Sequence, residues 1–471
     1  MLNIFDYDLY NFALKKRLKT NIMLRHKITL LLASGLMSPL CVAQNAAGKW
    51  SLQQCIDYAL SHNVQLLKSA TLEKSKAVDV VEAKAGRLPS LNASLQQGVA
   101  YRPFQENGGN FVNGGIATSA ADKATQSGSY GVNAQWVVWN GGKTKMNITN
   151  AQYDQQLAAY DTQTSANKIK EQIAQLYVQV QYMSEAEKVN RTLLKQDSII
   201  YERGKEMVKV GSMSKADLAQ LESQVSQGRY DIVNVQTQIA DAKLQLKQLI
   251  ELPATETFDV EATDVADTEV LKSIPTKDNV YTMALDSRPE IKRSQLSIEQ
   301  SKLSTKIAKS AYYPTVSLTG SLGDSHMTGS QQKYFKQMKN NFSTQLGVSV
   351  SIPIFDNRKT KSAVERARLN ETTAQLDLQD AQKQLYQTVE SYWLNATNSQ
   401  AKYVAAKSNV QSIEASYELM TEQFNVGLKN IAELLNSRSN LLNAQQQMLQ
   451  DKYTALLNRN LLQFYAGQDL K

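Results

Sequence analysis

The stretch Trp139-Asn140-Gly141-Gly142-Lys143-Thr144-Lys145 has a related counterpart later in the chain, Phe355-Asp356-Asn357-Arg358-Lys359-Thr360-Lys361. Both stretches end in Lys-Thr-Lys. Downstream, Val210-Gly211 is matched by Val426-Gly427 at the same separation of about 216 residues. Upstream, Leu88-Pro89 is matched by Tyr313-Pro314 at a separation of about 225 residues. Self-similarity over so long a period indicates a duplicated module and not a series of short repeats. The extra residues of the first copy, about nine, must lie between its matched proline and its matched glycines.

Each repeated stretch is followed by a long segment without proline, from Lys143 to Leu252 and from Ile354 to Lys471. Both segments are rich in good helix formers, and apolar residues recur with the 3-4 spacing of a coiled coil. Gly211 and Gly427 each separate two helical patterns, as expected of a residue that ends a helix in the left-handed conformation. The sequence therefore predicts two helical hairpins with a first arm of about 100 Å. They span residues 143–252 and 358–467.

Before each repeated stretch, apolar and polar residues alternate, as they do along strands with one apolar and one polar face. Each predicted strand has about 9–11 residues, the length with which a tilted strand spans a bilayer. No apolar run of about 18 residues, the minimum for a membrane helix, follows the N-terminal segment, so membrane insertion would require a closed barrel. Four strands are too few to close one, so several chains must share it. The strands are predicted at about residues 90–100, 128–139, 315–323 and 342–354.

Trp139 and Phe355 lie where the predicted strands end and turn-forming residues begin. Aromatic side chains are enriched where a membrane protein meets the water layer. Both residues are therefore predicted to mark the membrane boundary. Ordinary core packing is the alternative.

The N-terminus has the pattern of a secretion signal, with basic residues before an apolar run from Ile28 to Leu36. We expect a signal peptide at residues 1–43, with Met23 as an alternative true start. Cys41 raises the alternative of a lipid-modified N-terminus, although Leu40 before it is bulkier than such signals usually carry. The remaining organisation is predicted as a first repeat at 45–252, a connector at 253–277 and a second repeat at 278–471.

Charge and composition exclude several classes of protein. The formal charge of +8 falls to +4 without residues 1–43, which is no signature of nucleic-acid binding. The three histidines, His26, His62 and His326, are isolated, and there is no metal-ligand spacing, nucleophile motif or phosphate loop. The sequence predicts no enzyme, no cofactor and no metal site.

The signal peptide, the duplicated helix-strand-strand-helix unit, the four strands and the two Val-Gly turns together resemble the TolC-type outer membrane efflux protein family. The resemblance implies an α+β membrane protein. It also implies a homotrimer. Twelve strands, four from each chain, form one outer-membrane β-barrel in it, and a long α-helical coiled-coil barrel continues this β-barrel. It implies a location in the outer membrane of a Gram-negative bacterium, in contact with its lipid, with the helical part in the periplasm. It also implies a passive channel in a tripartite efflux or type I secretion system, with a periplasmic adaptor (membrane fusion protein) and an inner-membrane transporter as partners.

The family resemblance also implies roles for residues near the two turns. Glu433 and Asn436 take the positions of the pore aperture, where family members carry acidic residues; a solvated helix face is the alternative for Glu433. Asp217 and Lys429 take the positions of a gate lock, and Phe424 replaces a tyrosine that assists it, so the lock should be weaker here. The positions implied for adaptor contact, for which plain helix capping is the alternative, are Val210, Gly211, Ser212, Val426, Gly427 and Leu428.

A second function stays open at this point. A non-conducting coiled-coil spacer or adhesin anchored in the outer membrane would share the rods and the anchor but would need no pore. Conductance separates the two. The sequence does not decide the substrate, the class of pump or the resting state of the entrance, although the absence of a His- and Met-rich path lowers the case for metal efflux.

Overall fold

The computed structural model describes residues 49–104, 108–112, 115–119, 123–262, 265–328 and 332–470. The predicted signal peptide, Met23 and Cys41 lie outside these residues. The elements from Trp50 to Leu470 belong to one compact unit.

Two copies of a helix-strand-strand-helix unit are joined by a short connector. The first copy comprises β1 (Lys49–Trp50), α1 (Leu52–His62), α2 (Val64–Ala85), β2 (Ser90–Tyr101), β3 (Gly108–Val112), β4 (Gly115–Ser119), β5 (Ala124–Trp139), α3 (Lys143–Lys209) and α4 (Lys215–Leu249). The connector contains β6 (Asp259–Val260) and α5 (Asp267–Val270). The second copy comprises α6 (Lys277–Ser287), α7 (Pro289–Ser310), β7 (Thr315–Met327), α8 (Tyr334–Asn341), β8 (Ser343–Ser351), α9 (Lys359–Asn425) and α10 (Ile431–Tyr465).

The repeated stretch, residues 139–145 and 355–361, forms a tight turn between a strand and a long helix in each copy. In the first copy, the Asn140 side-chain oxygen accepts a hydrogen bond from the Thr144 amide (3.1 Å). In the second copy, a carboxylate oxygen of Asp356 accepts the equivalent bond from Thr360 (2.7 Å). Each bond satisfies an amide that would otherwise lack a partner in the first turn of the helix. The conserved pattern of the two copies is thus a pattern of helix initiation.

The four longer strands form one antiparallel sheet in the order β2-β5-β7-β8. Because side chains alternate across a strand, the register places Leu95, Val132, Leu322 and Val348 on the same side of the sheet. The polar residues between them face the other side. The sheet therefore has one apolar face and one polar face, as the alternation predicts.

The strand ends differ from the expected positions at three places. β5 begins at Ala124 and β7 continues to Met327, both beyond the clear apolar alternation. β5 keeps pairing with β2 as far as Ala124, and β7 keeps pairing with β5 as far as Met327. β8 ends at Ser351, since Pro353 has no amide hydrogen with which to continue the ladder. The expected loop after β2 contains the short β3–β4 pair.

The helical hairpins end in matching turns. Gly211 and Gly427 adopt φ angles of 77° and 78°, a left-handed conformation that glycine adopts without steric cost. The amides that follow, of Ser212 and Leu428, donate to the carbonyls of Met207 (2.8 Å) and Gln423 (2.9 Å). These bonds satisfy carbonyls at the end of each first arm and fix the chain reversal.

The main apolar core lies where the shorter helices pack against the long hairpins. Cys55 of α1, Ile173 of α3, Leu246 of α4, Val280 of α6 and Leu462 of α10 are fully buried there. The connector packs on α9, since the Gln400 side chain of that helix donates to the connector backbone at Val270 (2.8 Å). Within the described residues, none of the helices has an apolar stretch sufficient to span a lipid bilayer.

Cys55 gives a direct test of this core. Burial raises the pKa of its thiol from 9.0 to about 12, and the thiolate is the reactive form. We expect native protein at about pH 8 to leave Cys55 unmodified by iodoacetamide, whereas denatured protein is fully alkylated. Mass spectrometry of the peptide containing Cys55 measures this, and rapid alkylation of the native protein would contradict the packing described here.

Candidate functional site: the hairpin turns and the open sheet

The two hairpin turns, residues 210–214 and 426–430, expose apolar side chains. Val210, Val426 and Leu428 are 70–78% exposed, although residues of this kind are normally buried. The residues predicted for adaptor contact thus form two small apolar surfaces, each held rigid by the hydrogen bonds of its turn.

Glu433, Lys429 and Asp217, predicted for the aperture and the gate lock, make polar contacts to residues close to them in the sequence, at the starts of α10 and α4. The Lys429 ammonium lies 2.5 Å from a Glu433 carboxylate oxygen, and the Asn430 amide donates to the other oxygen (3.0 Å). The Asp217 carboxylate accepts a hydrogen bond from the Ser214 hydroxyl (2.8 Å). Within the described chain, no ion pair joins Lys429 to Asp217. Any lock between these two residues would therefore need contacts that the single chain does not make.

Asn436 and Phe424 lie in different surroundings. Asn436 is exposed, one helical turn after Glu433 and on the same side of α10. Phe424 is buried in the apolar cluster between the hairpins, together with Leu193, Leu221 and Leu434. Phe424 therefore stabilises the packing of the hairpins close to the turn.

A buried ion pair, which the sequence patterns did not predict, joins the two hairpins. Asp197 of α3 and Arg438 of α10 are 5% and 6% exposed. A guanidinium nitrogen of Arg438 lies 2.9 Å from one carboxylate oxygen, and its Nε donates to both oxygens (3.1 and 3.3 Å). Burial raises the pKa of the Asp197 carboxyl, and the neighbouring guanidinium offsets part of this rise. The sequence signal for this pair is Arg438 itself, a charged residue that stands between Leu434 and Leu441 at an apolar position of the 3-4 pattern.

A second buried charge cluster ties the base of the hairpins together. Arg288, at the start of α7, lies 2.9 Å from Glu290 and 3.4 Å from Glu171 of α3. Its guanidinium also lies over the ring of Tyr465 of α10, 4.0 Å from the centroid. Burial raises the pKa of the Glu171 carboxyl, although Arg288 opposes this rise. One arginine therefore joins α3 of the first copy to α7 and α10 of the second.

The apolar face of the sheet is exposed to the surroundings of the single chain. Its exposed large residues are Leu91, Leu95, Val99, Trp136, Leu318, Leu322, Leu346, Val348 and Val350. At the helical end, Trp139 makes an edge contact with Tyr313 (6.2 Å between centroids), whereas Phe355 is almost fully exposed. No group of three or more His, Cys, Asp or Glu side chains within the described residues could hold a metal ion.

The sequence model of the outer membrane efflux protein family matches residues 55–251 and 280–468. TolC of Escherichia coli (strain K12) is 28% identical over 183 residues, which span 36% of this chain and 37% of TolC. The chain therefore aligns with little more than a third of that relative. The outer membrane efflux protein BepC of Brucella suis biovar 1 is 21% identical over 393 residues, covering 80% of this chain and 79% of BepC.

Solved structures agree in fold. CusC superposes with a TM-score of 0.75 at 16% identity, over 89% of this chain and 92% of CusC. VceC of Vibrio cholerae superposes with a TM-score of 0.72 at 16% identity, over 89% and 97%. These likenesses confirm the predicted fold of long helices with four sheet strands per chain. Because the family match covers both copies of the repeat, the chain belongs to the outer membrane efflux protein family.

Proposed function

We propose that this protein is the outer-membrane channel of a tripartite efflux or type I secretion system. The observation that carries the proposal is the sheet, which has an exposed apolar face, a polar face, and outer strands β2 and β8 that each leave one edge unpaired within the described residues. Unpaired strand edges are costly in lipid, so such a sheet must be completed by other chains. Three chains would supply twelve strands, an even number within the range of outer-membrane barrels.

In this assembly the apolar face contacts outer-membrane lipid and the polar face lines an aqueous passage. The hairpins, with first arms of 67 residues, would extend about 100 Å into the periplasm. The exposed valines and leucine of the turns would dock a periplasmic adaptor, which connects the channel to an inner-membrane transporter. The transporter supplies the energy and chooses the substrate.

The names of the relatives support a channel over a non-conducting spacer. They include an alkaline protease secretion protein, AprF, and a pyoverdine export protein, OpmQ, both from Pseudomonas aeruginosa. These cargoes differ widely in size, as expected when the channel itself is not selective. The substrate of the present protein therefore depends on its inner-membrane partner.

Glu433 would place three carboxylates around the axis of a trimer, close to the entrance formed by the turns. A ring of carboxylates attracts cations. We expect Glu433→Gln to reduce cation selectivity several-fold in planar bilayers, because the entrance then keeps the Lys429 ammonium groups without the carboxylates that lie 2.5 Å from them. We expect Asp217→Ala to raise basal conductance if Asp217 takes part in the lock. Glu202→Gln, an exposed change on α3, is the matched control.

Either variant result bears on a specific part of the proposal. A wild-type current that neither variant changes would remove Glu433 and Asp217 from the entrance. The complete absence of a pore, with the trimer intact in detergent, would favour the anchored spacer or adhesin.

A further inference from the structure

The helix α8 closes the end of the sheet that lies farthest from the long helices. Its Gln337 side chain accepts a hydrogen bond from the Met327 amide (2.9 Å), and its Asn341 side chain donates to the Ser325 carbonyl (2.6 Å). The Tyr334 ring contacts His326 edge-on, 4.7 Å between centroids. Since these residues recur at helical spacing, one side of α8 is fixed to β7 and the other side is free.

The aromatic end of α8 lies on the apolar side of the sheet. His326 follows Leu322 by four residues and therefore projects from the same face. It stacks on Tyr130, another residue of that face, with 5.7 Å between centroids. The surface that we propose to contact lipid thus continues directly into α8.

The free side of the segment 332–342 combines aromatic and basic residues. Phe335 is 84% exposed, and its ring contacts Tyr334 (5.4 Å between centroids). Lys333, Lys336 and Lys339 are exposed, and none of them forms an ion pair within the described residues. The segment contains no acidic residue. Its net charge is therefore positive next to an apolar surface.

We propose that residues 332–342 bind the phosphate groups of an anionic lipid in the membrane leaflet farthest from the helices. This inference rests on the proposed function, which places the apolar face in lipid. Aromatic residues favour the boundary between acyl chains and headgroups, and lysines extend their charge from it toward headgroups. A short amphipathic helix with both features binds anionic membrane surfaces.

The test uses full-length protein in detergent, titrated with a diphosphorylated glucosamine-based glycolipid in mixed micelles. Replacing Lys333, Lys336 and Lys339 together with glutamine should weaken binding about a hundredfold, because each lysine near an anionic surface contributes about fivefold. The control replaces three exposed lysines of α2 with glutamine and should bind as the wild type does. These control positions are Lys68, Lys74 and Lys84.

Two further arms identify the ligand. The same glycolipid without phosphates should bind the wild type as weakly as the phosphorylated lipid binds the triple variant, and inorganic phosphate should not displace the bound lipid. Equal binding by the triple variant or by the unphosphorylated lipid would overturn the inference. Displacement by inorganic phosphate would indicate a free-anion site and would also overturn it. Conductance of the same preparation distinguishes the two proposals. A wild-type protein that conducts but shows no preference for the phosphorylated lipid would support the channel and contradict the lipid site.

Discussion

Asp197→Ala is expected to destabilise the packing of the two hairpins by about 3–5 kcal/mol, the usual cost of removing one partner from a buried ion pair. The variant would remove the ion pair and the hydrogen bonds between Arg438 and Asp197. The Arg438 guanidinium would then be buried without a counter-charge and would lack its ion-pair partner at the interface between α3 and α10. Leu193, Leu221 and Leu434 pack beside the pair, so any separation of the helices there would also expose apolar surface.

Denaturation of the detergent-solubilised protein, followed by far-ultraviolet circular dichroism, measures this loss. Hydrogen exchange should locate it in the part of each hairpin near the turns. The double variant Asp197→Leu/Arg438→Leu removes both charges and should recover most of the stability. A single variant as stable as the wild type would mean that the pair is hydrated, contrary to the burial described above.

Arg288→Met is the second change with a large expected effect, also about 3–5 kcal/mol. Methionine keeps part of the packing against Tyr465 but removes the positive charge that Glu171 and Glu290 share. The exposed pair formed by Arg293 and Asp161 supplies the control, because exposed ion pairs contribute little. Arg293→Met should therefore leave the denaturation curve nearly unchanged.

The pH dependence of Arg288→Met distinguishes loss of charge from loss of packing. The pKa of Glu171 is already raised in the folded protein, and removal of Arg288 should raise it further. A carboxyl whose pKa is raised by folding favours the folded state at low pH, and this contribution is lost as the pH rises through the folded pKa. The deficit of the variant should therefore shrink as the pH is lowered from neutral. A deficit that stays constant as the pH is lowered would indicate that only packing was lost.

Much of the fold follows from local patterns that need no knowledge of distant contacts. The glycines at 211 and 427 mark the turns because the left-handed conformation is a property of one residue. The sheet faces follow from simple alternation, and family membership follows from the order of these elements in both copies. The turn and face signals each lie within a short stretch of sequence, so a single sequence is enough to recognise them.

The features that escaped prediction depend on pairs of residues far apart in the chain. Asp197 and Arg438 are separated by 241 residues, and each by itself resembles an exposed charge on a helix. The extension of β7 beyond Leu322 depends on α8, which satisfies the backbone at Ser325 and Met327. The roles of Glu433 and Asp217 stay predictions, because they concern contacts that an assembly of chains would make.

The helices of the two hairpins have equal lengths. α3 and α9 each contain 67 residues, and α4 and α10 each contain 35. A deletion of one heptad in a single hairpin would shift its turn by about 10 Å relative to the other. In evolution, insertions and deletions in the rods should therefore be accepted only in pairs, one in each copy. The duplication in this chain therefore couples the lengths of the two hairpins, so that one cannot change without the other.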